Sequence, residues 1–114
     1  MREHLLFEDY LDEKLKDPVR AQQYLDLAFE EYGQVGDAAA FLLVLRDVVR
    51  AQGGMSKLSR EAELNRANLY AALSENGNPR FETIMAILKT LGMRLSVKQI
   101  EKREEEVTAK ADVG

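Results

Sequence analysis

Arg66 and Asn68 are the two side chains whose types and spacing fit a specific chemistry, and that chemistry is recognition by hydrogen bonding. An arginine fork matches the acceptor edge of guanine, and a carboxamide matches the donor–acceptor edge of adenine. Both stand beside Ala67 and Ala71, which are small enough to let a helix backbone come close to a groove. Covalent or acid–base chemistry has far less to build on. His4 is the single histidine and there is no cysteine, so a histidine-based triad, a zinc site and a disulfide framework all lack their parts. The carboxylate runs Glu30-Glu31 and Glu104-Glu105-Glu106 have the pattern of solvated helix faces. Gly53-Gly54 reads as a helix end and not as a phosphate cradle. The expectation is no enzyme, no catalytic residue, no metal ligand and no cofactor.

The elements that must position Arg66 and Asn68 lie within residues 56–92. Ser56 reads as the cap of a short helix whose inner face is Leu58 and Ala62. Glu63-Leu64-Asn65 breaks the run; Asn65 is a good cap for the next helix, with Leu64 as a hydrophobic staple. Leu69, Ala72 and Leu73, three and four apart, form the inward stripe of that second helix. Arg66, Ala67, Asn68, Tyr70 and Ala71 are left on the outside. This is the layout of a helix-turn-helix that lays its second helix in the DNA major groove; an ordinary helical hairpin with a polar face is the competing reading. On the first reading Arg66, Ala67, Asn68 and Ala71 face bases, while Ser56, Lys57, Asn65, Tyr70, Asn78 and Arg80 contact the backbone. Residues 76–80, Asn-Gly-Asn-Pro-Arg, form a turn whose two asparagines tolerate positive φ. Phe81, Ile84, Ile87, Leu88 and Leu91 then mark an amphipathic helix closed by Gly92.

The net charge of −4 is unevenly placed. Residues 1–37 hold ten acidic and four basic side chains, a net of −6. Residues 38–99 hold nine basic and five acidic, a net of +4; residues 100–114 hold three basic and five acidic, a net of −2. The basic charge thus sits where the helix pair lies, and Lys57, Arg60, Arg66, Arg80 and Lys89 are candidates for phosphate contact.

At 114 residues the chain supports one core. Asp17-Pro18 is a helix start, followed by the stripe Val19, Tyr24, Leu25, Ala28, Phe29 and Tyr32, with Gly33 as its end. Asp37 caps a nearly all-apolar helix containing Phe41, Leu42, Leu43, Val44, Leu45, Val48 and Val49, the expected centre of a bundle. Its outward apolar residues are either buried within the chain or meet a second subunit. Residues 93–98 alternate apolar and polar as a half-buried strand does. The strand's partner is either the region His4-Leu-Leu-Phe-Glu-Asp-Tyr10 or the same strand of another copy. No apolar leader or membrane span is visible, so a soluble, cytoplasmic protein is expected.

The run from Gly54 to Val97 (GMSKLSREAELNRANLYAALSENGNPRFETIMAILKTLGMRLSV) resembles the lambda-repressor-like Xre/Cro helix-turn-helix family. More narrowly it resembles the probable addiction-module antidotes, HigA-like antitoxins of toxin–antitoxin pairs. DPVRAQQYLDLAFEEY resembles their N-terminal part, so the likeness covers about residues 7–98. One departure is Glu63, where that family often has glycine; a positive φ is implied there at some cost. The resemblance implies a mostly α, lambda-repressor-like bundle of about five helices. It divides into an acidic N-terminal extension with one helix (1–36), a DNA-binding domain with a trailing strand (37–99) and a charged tail, frayed or disordered (100–114). It further implies a homodimer with two partners: operator DNA, and a cognate toxin that is often a small basic ribonuclease. The competing functions are a stand-alone or phage-type repressor without a toxin, and a protein-interaction module that has lost DNA binding.

Overall fold

Why residues 38–51 form the middle of the molecule is plain from their side chains. Asp37 accepts the backbone N–H of Ala40 at 3.1 Å and so starts helix α3, Ala38–Ala51. Leu42, Leu45, Val48 and Val49 recur at three- and four-residue spacing and are all buried. Around α3 the computed structural model describes residues 2–74 and 76–100, excepting the side chains of residues 2–6. The other helices are α1 (Arg2–Leu15), α2 (Pro18–Val35), α4 (Gly54–Ala62), α5 (Arg66–Ala72) and α6 (Phe81–Thr90). Helices α1, α2 and α4 pack on α3; α5 and α6 pack on α4. One core runs through all six, with Leu15, Leu25, Leu58, Leu69, Leu73, Ile87 and Leu88 joining the α3 face.

The mostly helical expectation holds, with several corrections. The described residues contain six helices, and the N-terminal 36 residues supply two of them. His4 to Tyr10 lies inside α1 and so bonds its own backbone; it offers no edge to a strand. There is no strand among the described residues. Residues 93–98 are irregular: Met93 and Leu95 pack on the core, and Val97 stands 98% exposed. Helix α2 does not stop at Gly33 but runs to Val35, closed by left-handed Gly36. Val19 and Tyr32, expected inside, are exposed; the buried stripe is Ala21, Leu25 and Ala28. Phe81 is likewise outside, leaving Ile87 and Leu88 as the buried face of α6. The charged tail from residue 101 onward lies outside the described residues.

Two turns depend on backbone constraint. Glu63 adopts φ 56°, ψ 41°, the left-handed conformation implied by the sequence. It does so because α4 ends in a Schellman arrangement: the Leu64 N–H donates to Ser59 O at 3.0 Å and the Glu63 N–H to Arg60 O at 3.4 Å. In the 76–80 turn Asn78 does not take a positive φ. What that turn needs is a missing side chain, because a methyl group on Gly77 would collide with the carbonyl of Ala72.

The α1–α3 seam carries the polar contacts. Arg50 Nε donates to Asp12 Oδ1 at 2.8 Å, and Arg50 Nη2 lies 3.2 Å from Asp47 Oδ1. Gln52 Nε2 donates to Leu15 O at 2.6 Å and to Lys16 O at 3.1 Å, fixing the end of α1. Burial pushes the Asp47 carboxyl above its ordinary value, against the pull of Arg50 and Arg46. Burial opposes the Arg50 charge, but Asp12 and then Asp47 outweigh it and hold that guanidinium above its ordinary value. Asp12 supplies most of what favours the Arg50 charge, and at the more buried Asp47 burial outweighs the attraction of Arg50 and Arg46.

Two stability predictions follow from this geometry. Glu63→Gly should raise stability by about 0.5–1 kcal/mol, relief of left-handed strain exceeding the entropy cost of glycine. Gly77→Ala should lower it by about 2 kcal/mol or more, since backbone has to move. Urea midpoints of the two variants moving in the same direction would contradict both assignments.

A third prediction concerns pH. With its folded pKa raised, Asp47 favours folding when protonated, below the ordinary value of 3.8, and this contribution is lost as pH rises through the folded pKa. Asp47→Asn, always neutral, should therefore gain stability relative to the native chain on going from acid to neutral pH. A stability gap between the two that stays constant across that range would show that Asp47 ionisation is not disfavoured in the fold.

Candidate nucleic-acid interface

Helix α5 stands out because so little of it is covered. Its packing partner is α4, reached through the three-residue turn 63–65. Asn65 caps it: the Asn65 side-chain oxygen accepts the backbone N–H of Asn68 at 3.0 Å. Leu69 and Leu73 are buried and Ala72 is half-buried, as their spacing predicts, and Leu64 packs on the same core in the staple position. The Ser59 hydroxyl donates to Leu64 O at 2.6 Å and ties the turn back to α4. The angle between α4 and α5 is therefore held by a left-handed residue, an asparagine cap and a serine bridge within seven residues.

The outward face follows. Arg66, Ala67, Asn68, Tyr70 and Ala71 are all exposed. The Arg66 guanidinium lies over the Tyr70 ring, 5.5 Å from its centroid, one helical turn away. In this position the fork has no ion-pair partner among the described residues. Of the flanking residues, Lys57, Asn65, Asn78 and Arg80 are exposed. Ser56 differs from its expected role. Helix α4 begins at Gly54 after Gly53, without a side-chain cap, so Ser56 is an internal, half-buried residue of the first turn.

Charge divides sharply across the molecule. Among the described residues Lys16 pairs with Glu13, Arg20 with Asp17, and Arg50 with Asp12 and Asp47. Lys57, Arg60, Arg66, Arg80 and Lys89 have no carboxylate within ion-pair distance among those residues. Charges left in water keep their field available to an incoming polyanion. Ser59 and the Arg66–Tyr70 stack were not singled out from the sequence. The i, i+4 spacing of the stack was a readable signal, whereas the Ser59 contact exists only once the chain has turned.

No group of three or more metal-ligating side chains occurs among the described residues. None of their helices is long and apolar enough to cross a membrane.

The family model described as "Probable addiction module antidote protein" matches residues 6–99. That span takes in most of α1, all of α2 to α6, and the segment that follows. An uncharacterized protein of Haemophilus influenzae is 34% identical over 94 residues, covering 78% of this chain and 96% of that protein. No solved structure matches. With the family match running the length of the six-helix fold, the chain belongs to the family of probable addiction module antidote proteins.

Proposed function

We propose that this antidote-family chain is an antitoxin of a toxin–antitoxin pair, which neutralises a cognate toxin and, as a homodimer, binds operator DNA and represses its own operon. The α4–α5 pair is read as a lambda-repressor-like helix-turn-helix, with α5 entering the major groove. The observation that carries this reading is the exposed α5 face, Arg66 to Ala71, together with the exposed cations Lys57, Arg60, Arg80 and Lys89 of the α4 and α6 segments, which no carboxylate of the described residues pairs. A partner that is negatively charged, regular and edged with hydrogen-bonding groups fits that combination, and duplex DNA is such a partner. In this reading Arg66, Ala67, Asn68 and Ala71 meet base edges. Ser56, Lys57, Asn65, Tyr70, Asn78 and Arg80 line the phosphates, with the half-buried Ser56 reaching them from the first turn of α4. A single seven-residue helix spans few base pairs, and two copies about a two-fold axis would read half-sites about 34–36 Å apart.

Two measurements test the DNA half on the native upstream region. Arg66→Ala should weaken binding by about 1–3 kcal/mol and relax preference at one base pair of each half-site. An unaltered binding curve would remove Arg66 from the interface. Lys57→Ala and Arg80→Ala should weaken binding to all sequences alike, each reducing the slope of log affinity against log salt by about one unit. If neither slope moves, these cations do not touch phosphate.

A further inference from the structure

The corner where α2 gives way to α3 carries an apolar surface that the DNA reading does not use. Tyr32 and Phe41 pack edge to face with centroids 5.9 Å apart, and Phe29 lies tilted against Phe41, centroids 4.5 Å apart. On one side of this aromatic ridge is a groove of about 120 Å³ floored by Phe41 and Val44, with Val35 at its lip, 70% exposed. On the other side a cleft of about 310 Å³ shares Tyr32 and Phe41 and continues to Pro79 and to Phe81, which is 69% exposed. An exposed Val35, Tyr32 and Phe81 around two depressions that share Tyr32 and Phe41 is more apolar surface in one place than scattered exposure requires.

The rim is acidic. Glu31 and Asp37 line the smaller groove, and neither has an ion-pair partner among the described residues. Asp37 spends one oxygen on the Ala40 N–H as the cap of α3. From Ala21 to Leu45 the chain has four carboxylates, Asp26, Glu30, Glu31 and Asp37, and no lysine or arginine. An apolar floor between unneutralised carboxylates complements a basic protein surface that offers an aliphatic or aromatic side chain flanked by lysines or arginines.

The same charges disfavour the other occupants. Nucleic acid and anionic lipid would meet like charge. A second copy across a two-fold axis would bring its own Glu31 and Asp37 towards these. The chain's residues 101–114 carry five acidic against three basic side chains, the same sign as the rim.

We infer that the Tyr32–Phe41 groove, rimmed by Glu31 and Asp37, is where this chain binds its cognate toxin, receiving an apolar side chain carried within a basic segment. The inference rests on the antitoxin reading above and adds the surface and the chemistry of the contact to it. It also separates the two partners, with the toxin on the acidic α2–α3 corner and DNA on the basic α5 face.

The test uses the full chain and the protein encoded by the reading frame next to its own, tagged and co-expressed. Glu31→Lys and Val35→Lys alter exposed side chains that line the groove; Val19→Lys, on the same helix but three turns before Glu31 and 59% exposed, is the control. Thermal melts check that all three fold. The two groove variants should each raise the Kd for the neighbouring protein about tenfold or more, with Val19→Lys and the affinity for operator DNA unchanged. Native affinity in both groove variants, while the native chain binds the neighbouring protein, overturns the groove and leaves the antitoxin reading standing. A native chain that does not bind the neighbouring protein overturns that reading and the toxin assignment together. Groove variants that become monomeric by light scattering yet keep toxin affinity assign the groove to a second copy.

Discussion

The buried face of α3 is the constraint on which the rest of the structure depends. Leu42, Leu45, Val48 and Val49 belong to the one core cluster, and α3 packs on α1 and α2 and also on α4. Helices α4, α5 and α6 have nine, seven and ten residues, lengths at which an isolated helix is marginal in water. Their stability has to come from burying Leu58, Leu69, Leu73, Ile87 and Leu88 in the core that α3 anchors. A helix pair of this size can present a nearly bare outer face only because its inner face is so completely used. The same face of α3 thus sets both the cohesion of the fold and the freedom of α5.

Electrostatics separate along that core. In the acidic half, cations are consumed locally: Lys16, Arg20 and Arg50 each face a carboxylate, and Lys14 lies 5.0 Å over the Tyr10 ring. Exposed pairs of this kind contribute little to stability. Their effect is to leave the surplus carboxylates of α2 as the dominant field on that side. On the other side Lys57, Arg60, Arg66, Arg80 and Lys89 have no such partners among the described residues, so an acidic protein carries unneutralised cations on the α4 to α6 segments. Charge segregation of this kind favours two chemically different partners at once without making them compete for one site.

Orientation within the α4–α5 pair depends on a strained residue. Glu63 occupies the left-handed region at a position where glycine would do so freely, and hydrogen bonds of Leu64 and Ser59 hold it there. Strain that persists in a turn implies that its surroundings over-determine it. Here they are the buried Leu58 before the turn and Leu69 after it, whose common core admits one relative placement of the two helices.

Much of this was legible in the residues themselves, and the legible parts share a cause. Asp17, Asp37 and Asn65 were readable as caps because a cap bonds a backbone N–H two or three residues away. Left-handed Glu63 and the inward Leu69 and Leu73 were likewise matters of local geometry and spacing. The errors also share a cause. Periodicity marked Val19, Tyr32 and Phe81 as inward, but whether an apolar residue is covered depends on which helix lies across from it. Residues 93–98 alternate as a strand does, yet a strand requires a second backbone, and the nearest candidate had closed its own hydrogen bonds as α1. The sequence alone therefore determined where α2, α3 and α5 begin and which face of α5 is polar, because those depend on neighbours along the chain; it misplaced the start of α4, which has no side-chain cap, and missed α1. Only tertiary packing decided which apolar residues stayed exposed, which cations stayed unpaired, and that Tyr32 and Phe41 would meet between two carboxylates, because those depend on neighbours in space.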